Sequence, residues 1–266
     1  MRRILSAVVL IAIVGVTIWA LPVWAMAGVA IVAAVLAGVE LVSLVSRVNA
    51  PASAAFVGFA ASALVLTVAQ LPELPHRVSL DAVLLVLLMG AGLVALGFGP
   101  PTSESLPRAS MLVMGPIYVG LPLGTLVWTR AELGPAAITW LLVTIAISDS
   151  AQYYTGRLLG RTKLSPAISP AKTVEGALGG IVAAGLTGFA LGPWCVPGWT
   201  PVRCAIVGVV LSIVGIAGDL FESLLKRSVG VKDSSQLIPG HGGMLDRLDS
   251  YLFAAPVFYL LAAFRP

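Results

Sequence analysis

Ala205-Ile-Val-Gly-Val-Val-Leu-Ser-Ile-Val-Gly-Ile-Ala-Gly-Asp-Leu-Phe-Glu-Ser-Leu-Leu-Lys-Arg227 begins as lipid-compatible sequence and ends as charged sequence. Up to Ala217 it carries no charge. About 20 apolar residues in a helix cross the hydrocarbon core of a bilayer, which predicts a span over 203–222. Asp219, Glu222, Ser223 and Lys226 are spaced i, i+3, i+4 and i+7, so they share one face of that helix. A hydrated helix end with a satisfied ion pair accounts for Glu222 and Lys226. It accounts poorly for Asp219, which lies toward the apolar side, where an ionisable group is costly and kept for function.

The same pattern extends along the chain. Of 266 residues 58% are hydrophobic and mean hydropathy is +1.00, beyond the range of a soluble globular domain. Apolar stretches are read as spans near 4–21, 23–46, 53–70, 80–98, 109–128, 134–151, 174–192, 203–222 and 247–264. The fold class expected is therefore an all-α polytopic membrane protein of about nine helices. It forms a single membrane domain, 1–266, with an N-terminal helical segment over 1–130 and a catalytic segment over 131–266. Ile4 to Ala20 follows Arg2 and Arg3 as a signal peptide would, but a second apolar stretch follows at once without a small-residue cleavage site. It reads as a retained first helix.

Cationic residues orient the chain. With the N-terminus inside, twelve of the sixteen Lys and Arg fall on the cytoplasmic side, leaving Arg77, Arg130, Arg203 and Arg265 outside. The positive-inside rule then predicts N-in, C-out, with polar loops 152–173 and 223–246 in the cytoplasm. The net charge of +4 does not indicate nucleic acid, because no basic tract is interleaved with aromatics. Cys195 and Cys204 lack CxxC spacing and nearby histidines, which argues against zinc; two unpaired thiols are the simpler reading, with a disulfide open if their loop faces an oxidising side. No Walker loop or GxGxxG element is present.

Chemistry concentrates between Ser223 and Asp249, which hold four cations, three aspartates, His241 and a glycine cluster in a chain only 11% charged. Asp246 and Asp249 open the last helix with Arg247 between them, and Asp246 alone would serve as an ordinary N-cap. His241-Gly-Gly243 lies just upstream. Glycines let backbone amides approach an anion, a helix N-terminus adds positive potential, and carboxylates hold a hard cation such as Mg²⁺. Lys226, Arg227, Lys232 and Arg247 are suited to the phosphates of a metal-bound nucleotide. In the other loop, Asp149 and Lys172 are the candidates, while positive-inside charge explains Arg157, Arg161 and Lys163 equally well. Ser169-Pro170 reads as a helix start, with Thr173 and Glu175 as first-turn polar residues. Glu40, within the second helix, has no partner in the sequence and no role assigned by it.

The run from Ser223 to Asp249 resembles the motif of the phosphatidate cytidylyltransferases (CDP-diacylglycerol synthases): S-x-hydrophobic-K-R, four residues, K-D, a spacer, then P-x-H-G-G-hydrophobic-x-D-R-hydrophobic-D. Ser223, Lys226, Arg227, Lys232, Asp233, Pro239, His241, Gly242, Gly243, Asp246, Arg247 and Asp249 fill its fixed positions. Gly218-Asp-Leu-Phe-Glu-Ser223 resembles the family's lead-in, and Ser169-Pro-Ala-Lys-Thr-Val-Glu-Gly176 its S-P-K-K-T-x-E-G element, with Ala171 in place of a lysine.

The resemblance implies transfer of CMP from CTP to phosphatidic acid, giving CDP-diacylglycerol and pyrophosphate; the compact composition suggests a bacterial inner membrane, and the Lys/Arg asymmetry puts the site on the cytoplasmic side. It implies Mg²⁺ at Asp219 and Asp246 with Asp249 in support, and CTP phosphates at Lys226, Arg227, Lys232, His241 and Arg247. Ser223 would orient an oxygen, Lys172 would meet a lipid or nucleotide phosphate, and Ser169 and Asp149 would belong to the substrate-binding region. A homodimer is compatible with it. Two rivals make different predictions. A CTP-dependent lipid-alcohol kinase would transfer the γ-phosphoryl group. A transporter of anionic solutes would show inverted repeats, which the sequence lacks.

Overall fold

The computed structural model describes residues 2–46, 80–97, 100, 102–103, 105–235, 237 and 242–263. Among the described residues seven helical elements carry the fold: α1 (Arg2–Trp19), α2 (Val23–Ser46), α3 (Leu80–Leu96), α4 (Ser105–Leu159), α5 (Val174–Cys195), α6 (Pro201–Ser228) and α7 (Leu245–Ala263). One antiparallel hairpin, β1 (Lys163–Ser165) with β2 (Ser169–Thr173), interrupts them between α4 and α5. Helices α2, α4, α5 and α6 are each long and apolar enough to cross a membrane. Large apolar side chains such as Trp24, Leu88, Leu93, Leu186 and Ile206 point outward, which suits lipid, not water. The protein is an all-α integral membrane protein with a small hairpin. The expected span over 53–70 lies outside the described residues.

Helix α4 is two helices in one register of hydrogen bonds. At Gly134 the backbone leaves the helical region (φ 84, ψ 178), so 105–133 and 135–159 are separate rods. Only glycine takes that φ without strain, and Pro135 behind it disfavours helical geometry at the preceding residue. The break falls where the sequence predicts one, between 128 and 134.

Two expectations are corrected at the loops. Helix α4 runs on to Leu159 and α6 to Ser228, so both polar connections are shorter than 152–173 and 223–246. Ser169-Pro170 does not start a helix but opens strand β2. Proline is tolerated at the edge of a two-stranded hairpin, where its missing N–H breaks no ladder. The helix begins four residues later, with Thr173 as its N-cap (φ −125, ψ 154) accepting from the Gly176 amide. Glu175 turns back from the first turn of α5 to accept the amides of Arg161 and Thr162 at 3.1 and 3.2 Å, which ties the hairpin to α5.

The chain forms two compact units. The first comprises Met1–Trp128 with Val229–Arg247, the second Thr129–Ser228 with Leu248–Pro266. The stretch 229–247, which the sequence alone groups with the catalytic half, thus clusters with the N-terminal helices.

In the second unit, α5 and α6 lie antiparallel with backbones in contact. A Cβ on Gly188 would meet the Cys204 carbonyl, and one on Gly208 would meet the Ala184 carbonyl. Small residues allow such close approach between membrane helices, where apolar burial alone gives no preference for protein over lipid. Gly208→Val should therefore lower stability by about 2 kcal/mol, the scale of overpacking a close contact. A lower melting midpoint in detergent, without loss of helix content at low temperature, is the expected readout. Trp140, Trp199 and Phe258 close the far end edge to face, with centroids 5.4–6.5 Å apart. Arg203 stacks on Trp199 at 4.1 Å and donates to the Leu261 carbonyl, so this charge at a helix start is held by a ring face and a carbonyl. Cys195 and Cys204 are free thiols.

Candidate functional site

The second unit gathers charged side chains from four elements. Asp149 comes from 135–159, Lys172 from β2, Asp219 and Lys226 from α6, and Asp249 from α7. Close backbone packing sets their level. A Cβ on Gly218 would lie 2.5 Å from the Asp249 carbonyl, so α6 and α7 touch one residue from Asp219. A buried hydroxyl pair, Ser148 with Ser212 at 2.7 Å, joins α4 to α6 one residue from Asp149. A Cβ on Gly176 would lie 3.2 Å from the Gly156 Cα, so the start of α5 packs against the end of α4.

Within this frame Lys172 forms an ion pair with Asp219, both side chains partly exposed. The Ser223 hydroxyl donates to the other Asp219 oxygen at 3.3 Å. Asp149 lies within Coulombic range of both Asp219 and Lys172, and the Gln152 amide donates to it at 3.0 Å. Asp249 lies in range of Asp219, Asp149 and Lys226. Three carboxylates and two ammonium groups thus share one region. Lys226 pairs with Glu222 one turn earlier on the helix, as the shared-face spacing predicts. Glu222 is completely buried and Lys226 nearly so, which is deeper than a hydrated helix end would be. Arg227 donates to the Ile168 carbonyl at 3.4 Å, tethering α6 to the hairpin turn. Ser169 lies in β2 opposite Ser165.

The first unit holds the remaining motif residues. Lys232 and Arg247 are exposed, and His241 lies outside the described residues. Helix α7 begins at Leu245, so Asp246 stands inside its first turn and is not the N-cap. One Asp246 oxygen, Oδ2, accepts from the Gly243 amide at 2.8 Å and the Ser234 amide at 3.0 Å, and lies 2.9 Å from the Ser234 hydroxyl, whose single proton it shares with Glu40. Gly242 allows this return with φ at 79°, and a Cβ there would press to 2.7 Å from the same oxygen.

Glu40 is the residue whose role the sequence left blank. Its side chain is buried, and both oxygens are engaged. Oε1 accepts from the Met244 amide at 2.8 Å and the Ser235 hydroxyl at 2.6 Å. Oε2 accepts from the Leu245 amide at 2.8 Å and the Ser234 hydroxyl at 2.9 Å. The anion at the glycine-flanked helix start is therefore the protein's own. Where the sequence suggests that these amides await a phosphate, Gly243, Met244 and Leu245 already donate to Asp246 and Glu40. The only sequence signal for this was an acid inside an apolar helix, because its partners lie 194 to 205 residues downstream.

This chain is similar to several known proteins. A phosphatidate cytidylyltransferase of Synechocystis sp. is 49% identical over 140 residues, 50% of this chain and 46% of its own length. One of Helicobacter pylori strain J99 is 42% identical over 148 residues, 56% of this chain and 55% of its own. One of Staphylococcus saprophyticus is 38% identical over 161 residues, 58% of each chain. The chain spans about half the length of the relatives it matches. The model of the Cytidylyltransferase family matches residues 1–264, nearly the whole sequence, and the chain belongs to that family.

Proposed function

We infer that this protein transfers CMP from CTP to phosphatidic acid, yielding CDP-diacylglycerol and pyrophosphate. The observation that carries this reading is the convergence of Lys172 and Lys226 with Asp149, Asp219 and Asp249 in a chain of the cytidylyltransferase family. The positive-inside distribution supports an N-in, C-out orientation with the site toward the cytoplasm and CTP, and this reading takes the chain as about nine spans in a bacterial inner membrane.

A phosphate oxygen of the lipid attacks the α-phosphorus of CTP. A new P–O bond forms, the bond from that phosphorus to the β-bridging oxygen breaks, and its electron pair leaves with pyrophosphate. The lipid phosphate is already anionic near neutral pH, so it needs no general base. The difficulty is repulsion between two polyanions, which fixed cations relieve while holding the reactants in line. Lys172 and Lys226 answer that need here, with Arg227, Lys232, His241 and Arg247 assigned to CTP phosphates from the motif. Ser223, bonded to Asp219, orients that carboxylate. Ser169, beside Lys172 on β2, is assigned to the substrate phosphate.

Mg²⁺ is commonly held by one or two carboxylates together with substrate phosphates. Asp219 is a hard-oxygen ligand of the kind such an ion takes, with Asp149 and Asp249 within Coulombic range of it. Among the described residues no group of three or more His, Cys, Asp or Glu could hold a metal, so substrate oxygens would complete the shell. Asp246 keeps its motif-based assignment as a metal-site carboxylate. When bound, the ion would neutralise charge on the leaving pyrophosphate. An arriving phosphate would draw Lys172 away from Asp219 and leave that carboxylate available as a ligand.

Purified protein in detergent, given phosphatidic acid, Mg²⁺ and CTP labelled at the α-phosphate, should move label into lipid, with Asp246→Ala silent. Lipid labelled only from γ-labelled CTP would make the protein a kinase. No transfer from either label by folded protein would point to transport.

A further inference from the structure

We propose that Glu40 is a positioning residue for CTP binding: its carboxylate clasps two segments of the motif, 232–235 and 242–247, and fixes the residues they carry. The assignment of those residues to CTP rests on the functional reading above. The clasp itself rests on geometry alone.

Glu40 meets four donors, two from each segment. Ser234 and Ser235 belong to the first, and the Met244 and Leu245 amides to the second. A carboxylate across the first free amides of a helix gains both charge-assisted hydrogen bonds and the helix dipole. The Ser234 hydroxyl shares its one proton between Glu40 and Asp246, and the Ser234 amide donates to Asp246 outright, so a single chain of contacts runs from Glu40 through Ser234 to Asp246. Gly243 fits between them because it lacks a side chain. A Cβ there would collide with the Ser234 hydroxyl and lie 2.6 Å from the Glu40 carboxyl carbon. One acid on α2 therefore sets where Lys232, Asp246 and Arg247 stand.

A residue so placed has a second consequence. With the α7 amides filled by Glu40, a substrate phosphate gains nothing from that helix start and relies on side-chain cations. This makes positioning of those cations, not backbone capture, the contribution of the segment.

The test compares wild type with Glu40→Gln, which keeps the shape but replaces an acceptor by a donor facing donors. Amide hydrogen exchange in detergent should be at least tenfold faster at Gly243, Met244 and Leu245, and unchanged in α5 and α6. CMP transfer should lose at least tenfold in kcat/KM for CTP, with KM for phosphatidic acid within twofold of wild type. Glu40→Asp, shorter but still an acceptor, should recover part of both. Should Glu40→Gln not fold, the double variant Ser234→Ala/Ser235→Ala removes two donors and should raise exchange at the same three amides, by about threefold. Exchange at 243–245 within twofold of wild type, or a rise shared equally by α5 and α6, would overturn the proposal. Loss of phosphatidic acid affinity equal to that for CTP would also overturn it. Wild type lacking CMP transfer would remove the functional reading instead, and the exchange comparison would still decide the clasp.

Discussion

Asp219→Ala is expected to lower CMP transfer by about 10³-fold, the upper range for deleting one preorganised electrostatic contact in an active site. Asp219 is the only residue of the second unit's acidic group to which structural contacts bind both a strand lysine and a motif serine. It is partly exposed, so its removal leaves Lys172 able to reach water and the fold should persist. Asp219→Asn separates shape from charge, since it can still accept from Ser223 but cannot ligate a cation as a carboxylate does. Both variants should melt near the wild-type midpoint and fail to label lipid at saturating CTP and Mg²⁺. An Asp219→Asn enzyme with wild-type turnover would end the assignment of metal to this side chain.

The second large effect concerns stability. Glu222→Ala is expected to cost about 3–5 kcal/mol, the usual penalty for leaving one charge of a buried pair behind. Glu222 is completely buried, its partner Lys226 is nearly so, and both stand on α6 where it packs inside the unit. Denaturation in detergent would register the loss. The double variant Glu222→Leu/Lys226→Met removes both charges with similar volume and should recover most of the stability, because replacing a buried pair by apolar groups is often neutral. It should not recover CMP transfer if Lys226 meets a phosphate. A stable, fully active double variant would reduce the pair to a structural device and remove Lys226 from the site.

These two cases show how differently the charges of one helix could be read in advance. The spacing of Glu222 and Lys226 announced their pairing, since residues four apart on a helix are neighbours whatever surrounds them. The pairing of Asp219 with Lys172 had no such signal. It depends on a hairpin that the sequence suggested as a loop and a helix start, because Ser169-Pro170 satisfies the rules for both a helix N-terminus and an edge strand. The N-cap at Thr173 was equally hidden, although its consequence, a bonded Gly176 amide, is local.

Membrane helices, the break near Gly134 and the residues of the motif were determined by sequence alone. Lipid demands long apolar runs with their hydrogen bonds closed internally, and that demand is written residue by residue in composition. Tertiary structure alone decided which charges on different elements meet. Packing at Gly208 and Gly218 fixes the height of Asp219 and Asp249, and Glu40 finds its donors at Ser234, Ser235, Met244 and Leu245, far along the chain. A buried carboxylate must be satisfied somewhere; the sequence states that requirement, and only the folded chain names the partner.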